Sequence, residues 1–271
     1  MARYWKVTVQ YDGTEYFGWQ WQPDQPSIQE EIQKTIESLY TVPALIDGSG
    51  RTDAGVHALG QVFSFKEPRS INLNGKSFKK AMNALLPPAI RVLKAEIVDE
   101  SFHARFSAVG KTYIYLLDKS DRVNPFFRNF CWNRRHDFDM DLTRKVLDLF
   151  EGEHDFSAFT VNVHMLKGSA VRKVFKAGIE EWQGFYVLSF TGSGFLYKMV
   201  RSLVGQVVEC AAGLKTFEKA EELLKTGKRE KAAQVAPAKG LFLGRVYYSE
   251  DKLSESLKTP AVEILKDSFF I

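Results

Sequence analysis

Strand-like and helix-like patterns alternate in the same order twice along the chain, and this repetition limits its possible folds. In the first half, apolar and polar residues alternate from Trp5 to Tyr11, as in a half-buried strand. A capping box, Ser27 followed by Glu30, then predicts the start of a helix. Further patterns predict strands near 44–46 and 63–65, a helix near 78–85 that Pro87 and Pro88 end, and a strand over 91–98. The first half therefore has the order β-α-β-β-α-β.

The second half has a similar rhythm. Its patterns predict strands at 111–117, 171–182, 185–191 and 241–248, and helices at 142–150, 195–212 and 217–225. The strands at 171–182 and 185–191 flank a turn at Gln183-Gly184. We therefore predict an α+β protein of two similar ferredoxin-like β-α-β halves. The halves share a continuous mixed or antiparallel sheet, flanked by helices, with a central basic cleft. The expected domains are 1–108 and 109–248, followed by a tail at 249–271.

Composition excludes several classes of protein. The chain has 271 residues, 45% of them hydrophobic and 26% charged, which is ordinary for a folded soluble protein. No apolar run is long enough to span a bilayer, and the first residues lack the apolar region of a signal peptide. We therefore expect a cytoplasmic protein that has no membrane partner.

Cysteine, histidine and glycine spacing argues against a metal or a cofactor. The two cysteines, Cys131 and Cys210, are too few for a disulfide framework. The five histidines show no paired spacing typical of a metal site. Gly48 and Gly50 begin a G-x-G, but Gly55 comes two positions too late for a dinucleotide fingerprint. We expect neither a metal nor a cofactor.

The net charge of +4 is modest, but the basic residues are segregated. They concentrate at 66–94, 105–135 and 167–176, whereas acids concentrate at 137–155 and 218–230. Such segregation suits a basic face that binds a phosphate backbone, although exposed lysines on solvated helices explain part of it.

The loop Gly48–His57 carries the strongest chemical signal. Asp53 lies between Arg51 and the small residues Ala54 and Gly55, so its carboxylate is offered openly beside a cation. Such a carboxylate can act as a nucleophile. Taken as a bare turn, the same residues would more often be structural, with Asp53 bonding its own backbone or pairing with Arg51 on the surface.

The order R-T-D-A-G-V-H within this loop resembles the signature of the tRNA pseudouridine synthases of the TruA family. Other segments of the chain also match that family, and they occur in the same order as in the family. They are Tyr11–Gln20, Phe102–Ser107, Lys111–Tyr115, Gly194–Arg201 and Ala236–Leu241. Together with the loop they extend from residue 7 to about 248.

The resemblance implies the catalytic residues. Asp53 matches the family's nucleophile, Tyr113 its active-site tyrosine and Arg201 its basic active-site residue. The aspartate would attack C1′ of the ribose or C6 of the base, or remove a ribose proton; the sequence leaves these routes open. Arg51 and Arg201 are candidates for the cation that keeps Asp53 ionised, and we expect Arg201 to pair with it.

The resemblance also implies the substrate and the assembly. It implies uridines at positions 38, 39 and 40 in the anticodon stem-loop of tRNAs, flipped out for reaction, and a homodimer that contacts one tRNA. The residues predicted to bind the substrate are Tyr113, Arg51, Lys198, Arg105, Lys79 and Lys80. Lys198 is expected on the same helical face as Arg201, where an exposed cationic face is an equally good interpretation. We expect His57 and His103 to order the backbone rather than to transfer protons, and Arg105 and Gln61 to support the site or contact RNA.

Two other functions fit parts of the sequence. Ser77–Lys80 fits S-x-x-K and Lys225–Gly227 fits K-T-G, as in serine acyl-enzymes, but the S-D-N element is missing and S-x-x-K arises by chance. We reject that function. The other is a non-catalytic RNA-binding protein on the same scaffold, which loss of the acid at position 53 would mark.

Overall fold

The computed structural model describes residues 3–135, 138–161, 163, 166, 168–229 and 234–269. The chain forms two compact units. Residues 1–109 and 242–250 make the first unit, and residues 110–241 and 251–271 make the second. Both contain helices and strands, so the predicted α+β class is confirmed. The predicted domain boundaries after residues 108 and 248 stay a prediction.

The first part of the chain contains β1 (Tyr4–Tyr11), α1 (Ile28–Tyr40), β2 (Asp47–Gly48), β3 (His57–Lys66), α2 (Gly75–Leu85) and β4 (Ile90–Val98). It is followed by β5 (Gly110–Asp118), β6 (Trp132–Asn133), α3 (Met140–Leu149), β7 (Gly152–Asp155), β8 (Val171–Trp182), β9 (Phe185–Gly192), α4 (Met199–Ala211), α5 (Phe217–Thr226), β10 (Leu241–Tyr247), α6 (Glu250–Lys258) and α7 (Val262–Phe269). The predicted order β-α-β-β-α-β of residues 1–98 is confirmed.

In the first unit the strands are arranged in the order β4-β1-β3-β10. β1 runs antiparallel to both β3 and β4, while β10 pairs with β3 in parallel. The predicted alternation in β1 is confirmed, because Trp5, Val7 and Val9 are fully buried. The ring of Trp5 stacks on Phe78 of α2 at a centroid distance of 4.6 Å. These apolar contacts form the core of the unit.

The predicted capping box at the start of α1 is confirmed in part. Ser27 is the N-cap residue, and its Oγ accepts a hydrogen bond from the backbone N–H of Glu30 at 3.3 Å. Ile28, Ile32 and Ile36 then line the buried face of the helix. Each of these side chains contributes about 1.5–3 kcal/mol by its burial, so the helix is held mainly by this face.

In the second unit the strand order is β5-β9-β8-β7, with every neighbouring pair antiparallel, and β6 pairs with β5 in parallel. β8 and β9 are joined at Gln183 and Gly184, which both have positive φ, at 47° and 87°. A two-residue hairpin turn requires such angles. The hairpin predicted around these residues is confirmed.

Two predicted elements were misplaced. The helix expected over 195–212 begins only at Met199, because Lys198 has a φ of +56° that no helical residue adopts. The strand expected near 44–46 is β2 at Asp47–Gly48. The carbonyl of Ile46 accepts a hydrogen bond from the Gln29 side chain, at 3.2 Å.

The tail forms two helices, and two charged side chains of β8 contact them. Lys176 Nζ donates to the carbonyl of Leu257 at the end of α6, at 2.7 Å. The carboxylate of Glu180 accepts from the backbone N–H groups of Ala261 and Val262, at 2.7 and 3.2 Å, at the start of α7. Each charge opposes the partial charge of its helix end, which stabilises the docked tail. Within the described part of the chain, no helix has the length and apolar character needed to cross a membrane.

Candidate active site

Asp53 lies in a tight loop between β2 and β3. The backbone N–H of Val56 donates to the carbonyl of Asp53 at 3.1 Å and closes a turn, in which Gly55 has a φ of +74°. The Asp53 side chain is half-buried and Ala54 is exposed. A glycine at position 55 permits the turn that presents this carboxylate.

A second segment that matched the family, Tyr11–Gln20, packs directly against this loop. The N–H of Trp19 donates to the carbonyl of Thr52 at 3.1 Å, and the N–H of Gly55 donates to the carbonyl of Tyr16 at 3.2 Å. A Cβ atom at Gly18 would collide with the carbonyl oxygen of Thr52. The absence of a side chain at this position therefore permits the close approach of the two segments.

Buried side chains fix the residues that precede Asp53. The fully buried Gln61 accepts a hydrogen bond from Ser49 Oγ at 2.6 Å and donates one to the carbonyl of Gly50 at 2.8 Å. The hydroxyl groups of Tyr11 and Thr52 are hydrogen-bonded at 2.8 Å. Burial raises the pKa of Tyr11 well above its usual range, although hydrogen bonds to Thr52 and Gln61 oppose the rise, so the phenol stays neutral.

His57 and Asp12 hold the other end of the loop. Nδ1 of the buried His57 lies 3.1 Å from the backbone nitrogen of Gly13 and 3.2 Å from Oδ1 of Asp12, and its ring stacks on Phe242 at 4.9 Å. Burial raises the pKa of Asp12, but hydrogen bonds from His57 and Thr14 outweigh it and lower the pKa to about 2. These contacts agree with the expectation that His57 orders the backbone.

Arg51, the nearest cation in the sequence, is exposed, and its Nε donates to Oε1 of Gln20 at 3.0 Å. This bond joins the loop once more to the Tyr11–Gln20 segment. Asp53 and Arg51 belong to the first unit, whereas Arg201 belongs to the second. The predicted pairing of Arg201 with Asp53 stays a prediction.

In the second unit, Arg201 joins two further segments that matched the family. Its Nε donates to the carbonyl of Ala236 at 2.7 Å, and the N–H of Ala236 donates to the carbonyl of Arg201 at 3.0 Å. The hydroxyl of Tyr115 donates to the carbonyl of Pro237 at 2.8 Å. Gly240 lies against the Tyr115 ring, where a Cβ would come within 2.6 Å of a ring carbon. The three matched segments of this unit therefore meet around α4 and β5.

Tyr113 lies on β5, two residues before Tyr115. Its ring makes an edge-to-face contact with Phe195 at a centroid distance of 5.2 Å, and only 8% of the residue is exposed. Phe195 precedes α4, so this contact orients the chain that leads into the helix with Arg201.

Lys198 does not lie on a helical face with Arg201, which corrects the prediction. It is outside α4 in a left-handed conformation, and its Nζ is 5.0 Å from the centre of the Tyr197 ring. The carbonyl of Tyr197 in turn accepts a hydrogen bond from Thr160 Oγ1 at 2.9 Å. The spacing of three residues therefore carries no information about where the Lys198 ammonium lies.

The other predicted RNA-contacting residues are on the surface of the first unit. Lys79 and Lys80 are exposed on α2, where they line an open depression with Lys76. Arg105 is exposed after β4, and its guanidinium lies 5.5 Å from the centre of the Phe106 ring. Lys167 of the predicted basic segment 167–176 lies outside the described residues.

The supporting roles of Tyr11 and Thr52 were missed in the sequence. Both belong to matched segments, but their spacing does not show that their hydroxyl groups meet. Among the residues that the structure describes, no group of three or more His, Cys, Asp or Glu side chains could hold a metal ion.

Comparison with known proteins identifies the family. A family model described as tRNA pseudouridine synthase matches residues 7–107 and 146–249, which include Asp53 and Arg201 but not Tyr113. Curated proteins named tRNA pseudouridine synthase A are similar over most of the chain. The protein from Akkermansia muciniphila is 39% identical over 93% of this chain and 98% of its own length. The protein from Lacticaseibacillus casei is 40% identical over 90% and 99%, respectively.

A solved structure, a Cbf5-Nop10-Gar1 complex, is 14% identical over 76% of this chain and 54% of its own, with a TM-score of 0.33, too low to bear on the fold. The family match extends over most of the sequence and both units. The chain belongs to the tRNA pseudouridine synthase family, whose members are isomerases that act on uridine in tRNA.

Proposed function

We propose that this protein converts uridine to pseudouridine at positions 38, 39 and 40 in the anticodon stem-loop of tRNAs, with Asp53 as the nucleophile. The observation that carries the proposal is the way Asp53 is presented. Its loop is hydrogen-bonded to the backbone of the Tyr11–Gln20 segment and to the side chains of Tyr11 and Gln61. A catalytic side chain on a loop needs such support to keep its geometry.

The reaction is an isomerisation, so every atom of the uridine is retained. The bond between N1 and C1′ breaks, the uracil turns over, and a bond forms between C5 and C1′. The proton on C5 is lost and N1 gains one. A carboxylate can attack C1′ or C6 or remove a ribose proton. The reaction requires no oxidant and no net addition of water.

Arg201 and Tyr113 complete the proposal. In this proposal Arg201 is the cationic partner of Asp53, and the hydrogen bonds between Arg201 and Ala236 support the placing of the Arg201 side chain. Tyr113 stacks on the flipped base and assists removal of the C5 proton. Unchanged turnover in Arg201→Ala or Tyr113→Phe would remove the role given to that residue.

The proposal includes recognition of tRNA by its shape. A uridine in a stem or a stacked loop must leave the stack, at a cost of a few kcal/mol, before a side chain can reach it. Contacts between cationic side chains and phosphates offset this cost and carry no sequence information. The side chains proposed to bind RNA are those of Arg51, Arg105, Lys79, Lys80 and Lys198. We further propose that the enzyme is a cytoplasmic homodimer.

The experiment that tests this function is to map pseudouridine in bulk tRNA after incubation with the purified protein. The expected result is new pseudouridine at positions 38, 39 and 40 in several tRNAs of different sequence. Pseudouridine only at other positions would contradict the assigned substrate. Binding of tRNA without any pseudouridine would favour the non-catalytic RNA-binding protein.

A further inference from the structure

Two large aromatic side chains are exposed near the end of the Tyr11–Gln20 segment, which supports the catalytic loop, and at the residue directly after it. Phe17 is 50% exposed and Trp21 is 51% exposed, whereas Trp19 between them is buried. Single exposed apolar residues are common on protein surfaces. Two of them on one short segment beside a catalytic loop call for an explanation from their surroundings.

The backbone that carries both aromatic residues is firmly held. The N–H of Phe17 donates to the carbonyl of Pro26 at 2.8 Å, and the N–H of Trp21 donates to Oε1 of Gln29 at 3.0 Å. Gln22 Nε2 donates to the carbonyl of Phe17 at 3.2 Å. The two rings therefore project from an ordered segment, which costs little entropy when a partner binds them.

This segment is also fixed relative to the catalytic residue. Gly18, which follows Phe17, lies so close to the loop that a Cβ atom there would come within 3.0 Å of the carbonyl carbon of Asp53. Oε1 of Gln20, which precedes Trp21, accepts a hydrogen bond from Nε of Arg51 at 3.0 Å. Phe17 and Trp21 thus flank the backbone contacts that position Asp53.

We propose that Phe17 and Trp21 form a stacking surface for unpaired bases of the tRNA next to the target uridine. This inference rests on the proposed function and goes beyond it, because it names side chains that bind the neighbours of the reacting nucleotide. Flat aromatic faces stack on bases of any sequence once those bases are unstacked from each other. An enzyme that modifies neighbouring positions in different tRNAs needs such sequence-tolerant contacts.

The charges nearby indicate that stacking, rather than attraction to phosphate, carries this contact. Glu15 lies two residues before Phe17 and Asp24 three residues after Trp21, and both acidic residues are exposed. The binding energy of the two rings should therefore depend little on salt, in contrast to lysine–phosphate contacts.

The alternative partner for the exposed aromatic pair is a second copy of the chain. The two side chains are too small for that role by themselves, because a specific interface buries about 800 Å² on each partner and a whole aromatic side chain only about 150–250 Å². Their chain neighbours Gly18 and Gln20 contact the catalytic loop, and this favours RNA as the partner.

The test measures affinity for an unmodified tRNA transcript, with every variant made in an Asp53→Asn protein so that turnover does not interfere. Phe17→Ala and Trp21→Ala should each weaken binding roughly 5- to 100-fold, by the same factor at low and high salt. Trp21→Phe should recover most of the lost affinity. Leu45→Ala is the matched control, because Leu45 is 86% exposed in the same unit; it should leave the affinity unchanged.

Unchanged affinity in both alanine variants would overturn the stacking surface, as would a loss that disappears at high salt. A change of oligomeric state by light scattering, with unchanged affinity, would assign the surface to a second copy instead. The wild-type protein is assayed for pseudouridine in the same transcript. Its failure to form any would refute the proposed function, whereas normal formation with unaffected alanine variants would refute the stacking surface alone.

Discussion

At the scale of single residues, Gln61 fixes the part of the loop that precedes Asp53. Its Oε1 accepts hydrogen bonds from Ser49 Oγ and from the N–H of Val62, at 2.6 and 3.1 Å, and its Nε2 donates to the carbonyl of Gly50 at 2.8 Å. A glutamine that is fully buried must have its polar atoms satisfied, and here two of the three partners are loop atoms. We therefore regard Gln61 as a positioning residue that acts through the loop.

Gln61→Met should lower kcat about 10- to 100-fold while the Kd for tRNA stays unchanged, because a small displacement of a catalytic group has a large effect on rate. Loss of the buried hydrogen bonds should also lower the free energy of unfolding by about 1–3 kcal/mol. Single-turnover kinetics and urea unfolding measure the two effects. Gln206→Met is the control, since Gln206 is buried in α4 and bonds Cys210. This control should lose stability without a comparable loss of kcat.

Asp12 makes the stability of the protein depend on pH. Its pKa in the folded protein is about 2, below the ordinary value of 3.8, so its ionised form stabilises the fold above about pH 4. That contribution is lost as the pH falls from about 4 towards 2. Asp12→Asn should therefore be less stable than wild type at pH 7, and the difference should shrink below pH 4. Urea unfolding at several pH values checks this; a difference that does not change with pH would contradict it.

At the scale of elements, the two segments Tyr11–Gln20 and Gly48–His57 are joined by backbone and side-chain hydrogen bonds. The sequence predicted the strand after the loop, misplaced the short strand before it, and identified both segments by their resemblance to the family. It did not show that Gly18 lies on Thr52 or that Tyr11 reaches the Thr52 hydroxyl. Such contacts join residues far apart in the chain, and periodicity reports only local structure.

The start of α4 shows the same limit. Apolar spacing from Phe195 onward fits a helix, yet Lys198 adopts a left-handed conformation and the helix begins at Met199. The N–H of Met199 donates to the carbonyl of Leu196 at 3.1 Å, and Thr160 bonds the carbonyl of Tyr197. Tertiary contacts therefore override the local pattern here. By contrast, the hairpin at Gln183 and Gly184 was predicted correctly, because glycine in a two-residue turn is a local signal.

Gly18→Ala should disrupt the contact between the two segments, because the added methyl group collides with the Thr52 carbonyl and φ is +92°. Both the melting temperature and the turnover should fall. The matched control is Gly184→Ala, where φ is +87° but nothing lies within 4 Å of the added Cβ. This control has only the backbone cost of about 1 kcal/mol and should keep normal turnover. Equal effects in the two variants would contradict the proposed importance of the contact.

The lysine face of α2 gives a prediction about salt. If Lys79 and Lys80 each neutralise one tRNA phosphate, their joint replacement by alanine should reduce the slope of log K against log[salt] by about 1.4–1.8. The loss of affinity should be similar for tRNAs of different sequence. Lys34→Ala is the control, because Lys34 is exposed on α1 but paired with Glu30 at 2.8 Å. An unchanged slope in the double variant would exclude α2 from the RNA interface.

At the scale of the whole molecule, the residues assigned to catalysis are divided between the two units. Asp53 belongs to the first, and Tyr113 and Arg201 belong to the second. In each unit, segments that matched the family meet through hydrogen bonds, around Thr52 in one and around Ala236 in the other. The sequence identified these segments because the order of residues in each one is specific to the family. Their arrangement within each unit could be known only from the structure.

The most direct test of the central claim uses tRNA that carries tritium at C5 of uridine, since formation of the new bond releases that tritium to water. The account predicts rapid release by the wild-type protein. It predicts no release above background by Asp53→Asn, with tRNA affinity and melting temperature close to those of wild type. Release that persists in Asp53→Asn would contradict the role of Asp53 as the nucleophile.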